Sequence, residues 1–297
     1  MQGTALIGLG AMGRGFARNI LATGIPLRGT DLAEGAREAF QALGGEVFDS
    51  AAEAAADCDL LLLMVVNAEQ ARAVLFDASA ADALAPNATV MISSTIAPSE
   101  MRALARELEA RGHMLLDAPV SGGQVGAEAG TVTVMASGPD AAFRRAEPVL
   151  DAISGTVHRL GAEPGLGSTY KVVHQLAAGV HLVAAAELLS LGTRAGCDPT
   201  KLLEIVSASA GQSWMMDDRG PRMLQADPSI ASTVDIFVKD LGLVLATGRD
   251  SRTALPLSAA AHQMMLAASA LGHGSRDDSA VIRAYEALNG GLGEGGA

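Results

Sequence analysis

Polar side chains interrupt a long apolar segment in the second half of the chain, and one of them is a lysine. If residues 169–194 form a helix, four polar side chains fall within an arc of roughly 120°: Lys171, His174, Gln175 and His181. Most other residues on that face are Val, Leu and Ala. A polar stripe on an apolar helix must meet water, a partner or a site. Because lysine is a general acid or base when its surroundings lower its pKa towards neutral, Lys171 is a candidate for that chemistry.

The same segment has a structural interpretation, which the residues alone leave open. A lysine can extend its amine from an apolar face to solvent, and histidines can be satisfied by neighbouring groups. A zinc site is not expected, because His174 and His181 are two turns apart with no carboxylate between them. The two cysteines, Cys58 and Cys197, also lack metal-ligand spacing. We therefore predict no metal site and a reducing compartment.

A glycine motif near the N-terminus has the pattern of a phosphate-binding turn. Residues 8–13 match G-x-G-x-x-G, directly after a predicted strand and before a predicted helix. In such a motif Gly8 permits the tight turn, Gly10 lets the backbone approach a pyrophosphate, and Gly13 allows close packing of helix and strand. The cofactor contacts predicted in this turn are Gly8, Leu9, Gly10, Ala11, Met12 and Gly13.

An acidic residue follows this motif at the distance that dinucleotide sites use. Asp31 lies 18 residues after Gly13, at the end of the second predicted strand. A carboxylate there accepts hydrogen bonds from the adenosine ribose hydroxyls and repels a 2′-phosphate. The sequence thus predicts NAD as the cofactor in preference to NADP, although Arg28 and Arg37 leave NADP open. The structural alternative is a glycine turn without a ligand, with Asp31 as a helix cap.

The segment Asp117–Gly123 follows another predicted strand, where ligands gather in open α/β sheets. Its serine hydroxyl and adjacent glycine N–H groups can hold a carboxylate, but such a loop is also common as a plain turn. Two later residues say little on their own. Lys239 fits a surface lysine, and Trp214 is expected in the core.

The candidate residues need a scaffold, and the first half of the chain alternates strand-like with helix-like segments. The strands are predicted at residues 4–8, 25–30, 60–66, 89–93, 114–118, 131–137 and 157–160. This alternation predicts an α/β fold with a doubly wound, Rossmann-type, mostly parallel sheet. After Pro164 every predicted element is a helix. We predict a dinucleotide-binding domain at 1–163, an all-α substrate and oligomerisation domain at 164–289, and a disordered glycine-rich tail at 290–297.

Composition argues against several other functions. The formal net charge is −12, so a nucleic-acid partner is not expected. The N-terminus lacks the pattern of a signal peptide, and apolar runs such as residues 60–66 are too short to cross a bilayer. We predict a cytoplasmic protein without a membrane partner. The Ala-, Leu- and Met-rich helical half predicts a homodimer or homotetramer.

Four motifs, in order, resemble those of the β-hydroxyacid dehydrogenase family, from Thr4 to about Glu286. They are the glycine turn, the Asp117–Gly123 segment, the glycine-rich lead before Lys171, and Lys239 in a Lys-Asp-Leu context. The resemblance implies an NAD-dependent oxidation of a small hydroxy acid with Lys171 as the catalytic acid/base. The implied substrate contacts are Ser121, Gly122, Gly123, His174, Gln175 and Lys239, and the cofactor contacts beyond the glycine turn are Asp31, Val66, Asn67, Thr95 and Lys239.

The substrate depends on one departure from the family pattern. Many members have asparagine four residues after the lysine, where this chain has Gln175. This disfavours 3-hydroxyisobutyrate, and residues 173–181 most resemble the branch that oxidises L-threonate at C2, a reaction for which His174, Gln175 and Ser213 could pair the hydroxyls. The alternatives are 3-hydroxyisobutyrate oxidation, reduction of tartronate semialdehyde or a related aldehyde, and a non-catalytic dinucleotide-binding module.

Overall fold

In the computed structural model, which describes residues 3–291, nine strands form a single sheet. Their order across the sheet is β3-β2-β1-β4-β5-β6-β8-β7, and β9 pairs with β8. The strands are β1 (Thr4–Ile7), β2 (Leu27–Thr30), β3 (Glu46–Val47), β4 (Leu60–Leu63), β5 (Thr89–Ile92), β6 (Met114–Asp117), β7 (Val120–Ser121), β8 (Val132–Ser137) and β9 (Ser154–Gly161).

The sheet is parallel from β3 to β6, and β8 runs antiparallel to both β6 and β7. The first six strands have the order 3-2-1-4-5-6 of dinucleotide-binding folds. The predicted doubly wound, mostly parallel sheet is thus confirmed. The strand order reverses between β1 and β4, and at such a point a crevice forms outside the carboxyl ends of the strands.

Helices cover both faces of the sheet, which explains the continuous apolar runs of its central strands. All four leucines of β4 are fully buried. Leu60 and Leu62 pack in one core cluster with Phe16, whereas Leu61 and Leu63 pack in another with Leu75. The helices of this part are α1 (Ala11–Ala22), α2 (Glu34–Ala42), α3 (Ala51–Ala55), α4 (Ala68–Arg72), α5 (Ala80–Ala83), α6 (Pro98–Ala110), α7 (Gly123–Ala129) and α8 (Asp140–Ile153), with a π-helical turn at Ala73–Asp77.

Three elements between residues 120 and 153 are absent from the sequence-based prediction, the short strand β7 and two helices. The short helix α7 begins within the predicted loop, and α8 fills a stretch for which we predicted no element. The sequence does carry a pattern for α8, because its buried residues recur at helical spacing: Ala142, Phe143, Ala146, Val149, Leu150 and Ile153. Pro148 inside the helix obscures this pattern, since proline normally ends a helix.

The second half is all-helical, as predicted. Its core packs Leu182, Ala186 and Leu189 of the first helix against residues of the later ones. A buried ion pair joins Arg219 Nε to Asp278 Oδ1 at 2.6 Å. The helices are α9 (Leu166–Arg194), α10 (Pro199–Ser207), α11 (Trp214–Met223), α12 (Val234–Asp250), α13 (Pro256–Ala268) and α14 (Ile282–Asn289), with a π-helical turn at Ser269–His273 and a 3-10 turn at Asp278–Val281.

The chain divides into two compact units between Lys171 and Val172, within α9. The predicted boundary at residues 163 and 164 lies just before that helix and stays a prediction. The start of α9 belongs to the first unit, because an added Cβ at Gly167 would lie 2.4 Å from Met135 O of β8. Of the predicted disordered tail, residues 292–297 lie outside the described residues.

Helix α9 is long and apolar enough to cross a membrane by length and composition alone. The expectation from the sequence was based on uninterrupted apolar runs. In α9, polar residues are instead spread among apolar ones along 29 positions. It buries Ser168, Lys171 and Gln175 within the protein. A buried helix of a soluble protein meets the same two criteria.

The prediction that Trp214 lies in the core is wrong. Trp214 begins α11, and 58% of its surface is exposed. The Arg219 guanidinium lies 5.8 Å from the centre of its ring. Ser213 Oγ accepts the Met216 N–H and so caps α11. The ring of Trp214 lies in the first turn of this helix, in which Met215 and Met216 are the buried residues.

Candidate functional site

The predicted cofactor residues of the first unit follow strands that end at the same level. Ile7 pairs with Thr30 and with Leu63, Leu63 pairs with Ile92, and Ile92 pairs with Asp117. Since carboxyl ends of parallel strands meet at one edge of the sheet, the segments that follow them share that edge. These segments contain Gly8–Gly13, Asp31, Val66, Asn67, Thr95 and Ser121–Gly123.

The three glycines of the turn have different surroundings. Gly8 has a φ of +95°, and a Cβ there would lie 2.3 Å from Met64 O. A Cβ on Gly13 would lie 1.9 Å from Gly8 O. Both positions therefore require glycine to let α1 pack on β1 and β4. Gly10 differs, because a Cβ there would meet no atom within 4 Å.

The open space at Gly10 lies at the N-terminus of α1. Gly10 is the N-cap, and within residues 3–291 no side chain caps the first turn that follows it. The N–H groups of a first turn have no partner within their own helix and carry the positive end of the helix dipole. Such a cradle fits a pyrophosphate, and Leu9, Ala11 and Met12 flank it.

Substitution of Gly10 by alanine is expected to weaken cofactor binding without disturbing the fold. The added methyl group would fill the cradle and meet no protein atom within 4 Å. The KM for NAD should rise about tenfold, which corresponds to about 1.4 kcal/mol. The thermal midpoint should stay within about 3 °C. Steady-state kinetics and a thermal melt check both values, and a large drop in the midpoint with an unchanged KM would contradict the assignment.

Backbone groups hold the Asp31 carboxylate beside the turn. Its Oδ2 accepts the Leu9 N–H at 2.7 Å, and its Oδ1 accepts the Ala33 N–H at 2.8 Å. Arg37 Nη1 donates to Asp31 O at 2.7 Å, and Arg28 Nη1 donates to Ala56 O at 2.7 Å. The two arginines that leave NADP open are thus engaged with main-chain carbonyls, whereas the Asp31 carboxylate is held beside the glycine turn.

Substitution of Asp31 by serine is expected to relax the choice of cofactor. Serine removes the negative charge that would repel a 2′-phosphate. The ratio of kcat/KM for NAD to that for NADP should fall about 10- to 100-fold, because the like-charge repulsion that disfavours NADP is removed. Asp151→Ser, at an exposed position of α8, is the matched control. An unchanged ratio in Asp31→Ser would show that the carboxylate does not select the cofactor.

The loops after β4 and β5 are joined to each other. Ser94 Oγ accepts the Val65 N–H at 3.0 Å. The next residues begin α4, where Asn67 Oδ1 accepts the Gln70 N–H at 2.8 Å, and Gln70 Oε1 accepts the Val66 N–H at 2.9 Å. The Asn67 side chain is therefore a helix cap, and the exposed Val66 side chain is held above the edge of the sheet. Thr95 follows Ser94 and is half-buried.

The predicted carboxylate-binding segment is more ordered than a loop. Ser121 lies in β7 and pairs with Thr133 of β8. The two residues that follow have positive φ values, +128° for Gly122 and +59° for Gly123. A side chain would strain both conformations, so this double glycine is required by the backbone. All three predicted residues, Ser121, Gly122 and Gly123, are half-buried at the edge of the sheet.

Asp117 has a role that sequence reasoning missed. It is fully buried at the end of β6, and its Oδ2 accepts the N–H groups of Gly165 and Ser168, each at 2.8 Å. Its Oδ1 accepts the Ser168 hydroxyl at 2.8 Å, and the Ser137 hydroxyl lies 3.3 Å from Oδ2. Burial raises the pKa of Asp117 to about 6, against the lowering effect of these donors. The carboxyl group thus anchors the first turn of α9 at Ser168, three residues before Lys171.

Lys171 is held in the first unit by this anchored helix start. Only 6% of its surface is exposed, so the amine does not extend into solvent as the structural interpretation required. Gly165, with a φ of +97°, and Gly167 allow the helix to begin against the strand ends. The glycine-rich lead before the lysine is therefore a packing requirement.

The remaining predicted site residues lie in the second unit and form a connected network. Gln175 Nε2 donates to Asp240 Oδ2, and Gln175 Oε1 lies 2.9 Å from His174 Nδ1. Lys239 Nζ lies 2.9 Å from Asp240 Oδ1. Asp240 is buried and was not predicted as a site residue, although it is the Asp of the Lys-Asp-Leu motif. The fourth polar residue of the predicted stripe, His181, is exposed.

Within residues 3–291, no group of three or more His, Cys, Asp or Glu side chains is arranged to hold a metal ion. The two cysteines are both free, Cys58 buried and Cys197 exposed.

Known proteins resemble this chain along nearly its whole length. Residues 4–161 match the family model for the NAD binding domain of 6-phosphogluconate dehydrogenase, and residues 165–285 match that for the NAD-binding of NADP-dependent 3-hydroxyisobutyrate dehydrogenase. L-threonate dehydrogenase from Cupriavidus necator is 49% identical over 95% of this chain and 96% of that protein. The Escherichia coli K12 L-threonate dehydrogenase is 45% identical over 95% and 94%. A crystal structure of 3-hydroxyisobutyrate dehydrogenase from Salmonella typhimurium has a TM-score of 0.90 at 45% identity, covering 95% of this chain and 99% of that one.

Proposed function

This chain belongs to the β-hydroxyacid dehydrogenase family, as its four motifs predict, and we propose that it oxidises L-threonate, or a close small sugar acid, at C2 to the 2-keto acid with NAD. One observation carries the choice of substrate: the 49% identity, along 95% of the chain, to a protein named L-threonate dehydrogenase. The buried Lys171 and the glycine turn supply the catalytic and cofactor groups that this reaction needs.

Oxidation removes two hydrogens from the substrate, a hydride from C2 and a proton from its hydroxyl. When bound, NAD supplies the acceptor for the hydride. Lys171, as the neutral amine, takes the hydroxyl proton at Nζ and becomes an ammonium, while the oxygen electron pair forms the carbonyl bond. The low exposure of Lys171 supports this role, because it keeps bulk water from the proton transfer.

The other residues bind and orient. We propose that Ser121, with the N–H groups of Gly122 and Gly123, holds the substrate carboxylate, and that Lys239 lies near the nicotinamide and the substrate. His174 is proposed to pair a substrate hydroxyl, and Gln175, predicted as a substrate contact, to act through the imidazole of His174. The residues proposed to hold the cofactor are Gly8, Leu9, Gly10, Ala11, Met12, Gly13, Asp31, Val66, Asn67, Thr95 and Lys239.

A panel of substrates tests the proposal. The purified protein is assayed with L-threonate and 3-hydroxyisobutyrate in the oxidative direction and with tartronate semialdehyde in the reductive direction, each with both cofactors. The highest kcat/KM is expected for L-threonate with NAD. The rival is 3-hydroxyisobutyrate, after which the similar Salmonella typhimurium enzyme is named, and a higher kcat/KM for it would overturn the proposal. Cofactor binding without turnover of any compound would instead indicate a non-catalytic module.

We also propose a cytoplasmic homodimer or homotetramer, with the helical unit supplying most of the contact. Three leucines of that unit support this assembly, because each exposes about 70% of its surface: Leu191, Leu257 and Leu288. Light scattering on the purified protein measures the mass, and a monomer at micromolar concentration would contradict the proposal.

A further inference from the structure

The amide of Gln175 is held between two partners of different chemistry. Its Nε2 donates to Asp240 Oδ2 at 2.5 Å, and its Oε1 lies 2.9 Å from His174 Nδ1. Gln175 is 7% exposed and Asp240 is 3% exposed. The amide therefore has little room to turn, and each of its two ends has a defined neighbour.

The carboxylate of Asp240 determines which end of the amide faces which partner. Asp240 Oδ1 forms an ion pair with Lys239 Nζ at 2.9 Å, so the carboxylate only accepts hydrogen bonds. An amide turned the other way would place its oxygen against the carboxylate oxygen. The NH₂ group must therefore face Asp240, and the amide oxygen must face the imidazole of His174.

An amide oxygen accepts and never donates, and this fixes the proton on the imidazole. The ring nitrogen 2.9 Å from Gln175 Oε1 must carry a hydrogen, so His174 is protonated at Nδ1. A neutral ring with a proton on Nδ1 has its lone pair on Nε2. The polarity of His174 is thus set by Asp240, which lies 65 residues from Gln175 in sequence.

We propose that Asp240, acting through the Gln175 amide, holds His174 in the Nδ1–H form so that Nε2 accepts a hydrogen bond from a substrate hydroxyl other than the one oxidised. Asp240 and Gln175 are then positioning residues, and His174 is the residue that selects polyhydroxy acids. The inference rests on the proposed function, because it names the group that distinguishes L-threonate from acids without further hydroxyls. It also accounts for Gln175 in place of the family's asparagine, since the longer amide spans Asp240 and His174.

Nitrogen-15 NMR reads the protonation of the ring directly. In uniformly ¹⁵N-labelled full-length protein, long-range ¹H–¹⁵N correlations distinguish a protonated from an unprotonated ring nitrogen, and loss of signals in His174→Phe assigns this residue among the six histidines. We expect an Nδ1–H ring in the wild type. In Gln175→Met, which lacks the accepting oxygen, the Nε2–H form should become populated, whereas Gln263→Met, at an exposed position of α13, should leave the ring unchanged. A wild-type Nε2–H ring, or no change in Gln175→Met, overturns the inference.

Kinetics then measure the selectivity. The test compares kcat/KM for L-threonate with that for 2-hydroxybutyrate, which has the same carbon chain without the hydroxyls at C3 and C4. In His174→Phe the ratio should fall about 10- to 100-fold, the range that one hydrogen bond in a buried site supplies. Gln175→Met should lower it in the same direction by a smaller factor. An equal loss of kcat/KM on both acids would mean that His174 has only a structural role, and it would overturn the inference.

The two proposals fail in different ways. If the wild type does not oxidise L-threonate, the proposed function is wrong, and the selectivity of His174 falls with it, while the NMR result still decides the ring form. If the wild type prefers L-threonate but His174→Phe leaves the ratio unchanged, the proposed function stands and the inference is wrong.

Discussion

Replacement of Lys171 with methionine is expected to lower kcat on the oxidised hydroxy acid by about 10²- to 10⁴-fold, the range that loss of a general acid/base produces. Methionine keeps an unbranched apolar stem, and the 6% exposure of Lys171 means that most contacts of that stem are with protein. The fold and the affinity for NAD should therefore change little. Single-turnover kinetics measure the rate of oxidation, and a fluorescence titration with NADH measures the cofactor affinity separately.

Lys201 provides the matched control for this substitution. It lies on the exposed face of α10, where its Nζ lies 2.9 Å from Glu204 Oε2. Because exposed ion pairs contribute about 0–1 kcal/mol, Lys201→Met should leave both stability and turnover almost unchanged. Turnover of Lys171→Met within a few-fold of the wild type would remove the lysine from the mechanism.

Replacement of Asp117 with asparagine is expected to destabilise the first unit by about 2–5 kcal/mol, because buried donors then lose an acceptor. The carboxyl group accepts from the N–H groups of Gly165 and Ser168 and from the hydroxyls of Ser168 and Ser137. An asparagine would turn an NH₂ group towards some of these donors. Since the same bonds hold the start of α9, kcat should also fall. Urea denaturation and steady-state kinetics measure both effects, with Asp151→Asn on the exposed face of α8 as control.

The same carboxyl group makes stability depend on pH. Burial raises the pKa of Asp117 from 3.8 to about 6 in the folded protein. Below pH 3.8 the group is protonated in both states, and as the pH rises towards 6 the unfolded chain releases its proton first. The free energy of unfolding therefore falls between about pH 4 and pH 6, by up to roughly 1.4 kcal/mol per pH unit. Asp117→Asn has no carboxyl group to titrate at this position. The difference in free energy of unfolding between wild type and variant should therefore narrow as the pH rises from about 4 to 6. A constant difference would contradict the shifted pKa.

Local patterns were sufficient to predict the scaffold and the cofactor turn. The buried run at Leu60–Leu63 and the glycine spacing at residues 8–13 are both read from neighbouring residues, and each corresponds to an element or a steric requirement in the structure. The hydrogen-bond partners of Asp117 and of Asp240 could not be read in this way. Asp117 bonds to Ser168 across 51 residues, and no periodicity links the two. Proline in α8 and the exposed Trp214 show the same limit, because packing overrides local preference there.

The chain contains three lysines, at 171, 201 and 239, and their burial differs widely. Lys171 is almost enclosed, the Lys239 side chain is 22% exposed beside a carboxylate, and that of Lys201 is 62% exposed. Amine-directed reagents should therefore modify one lysine of the folded protein far faster than the other two. A fluorophore or surface tether attached at Lys201 would leave the groups proposed for catalysis chemically intact, so immobilised or labelled enzyme should retain its turnover.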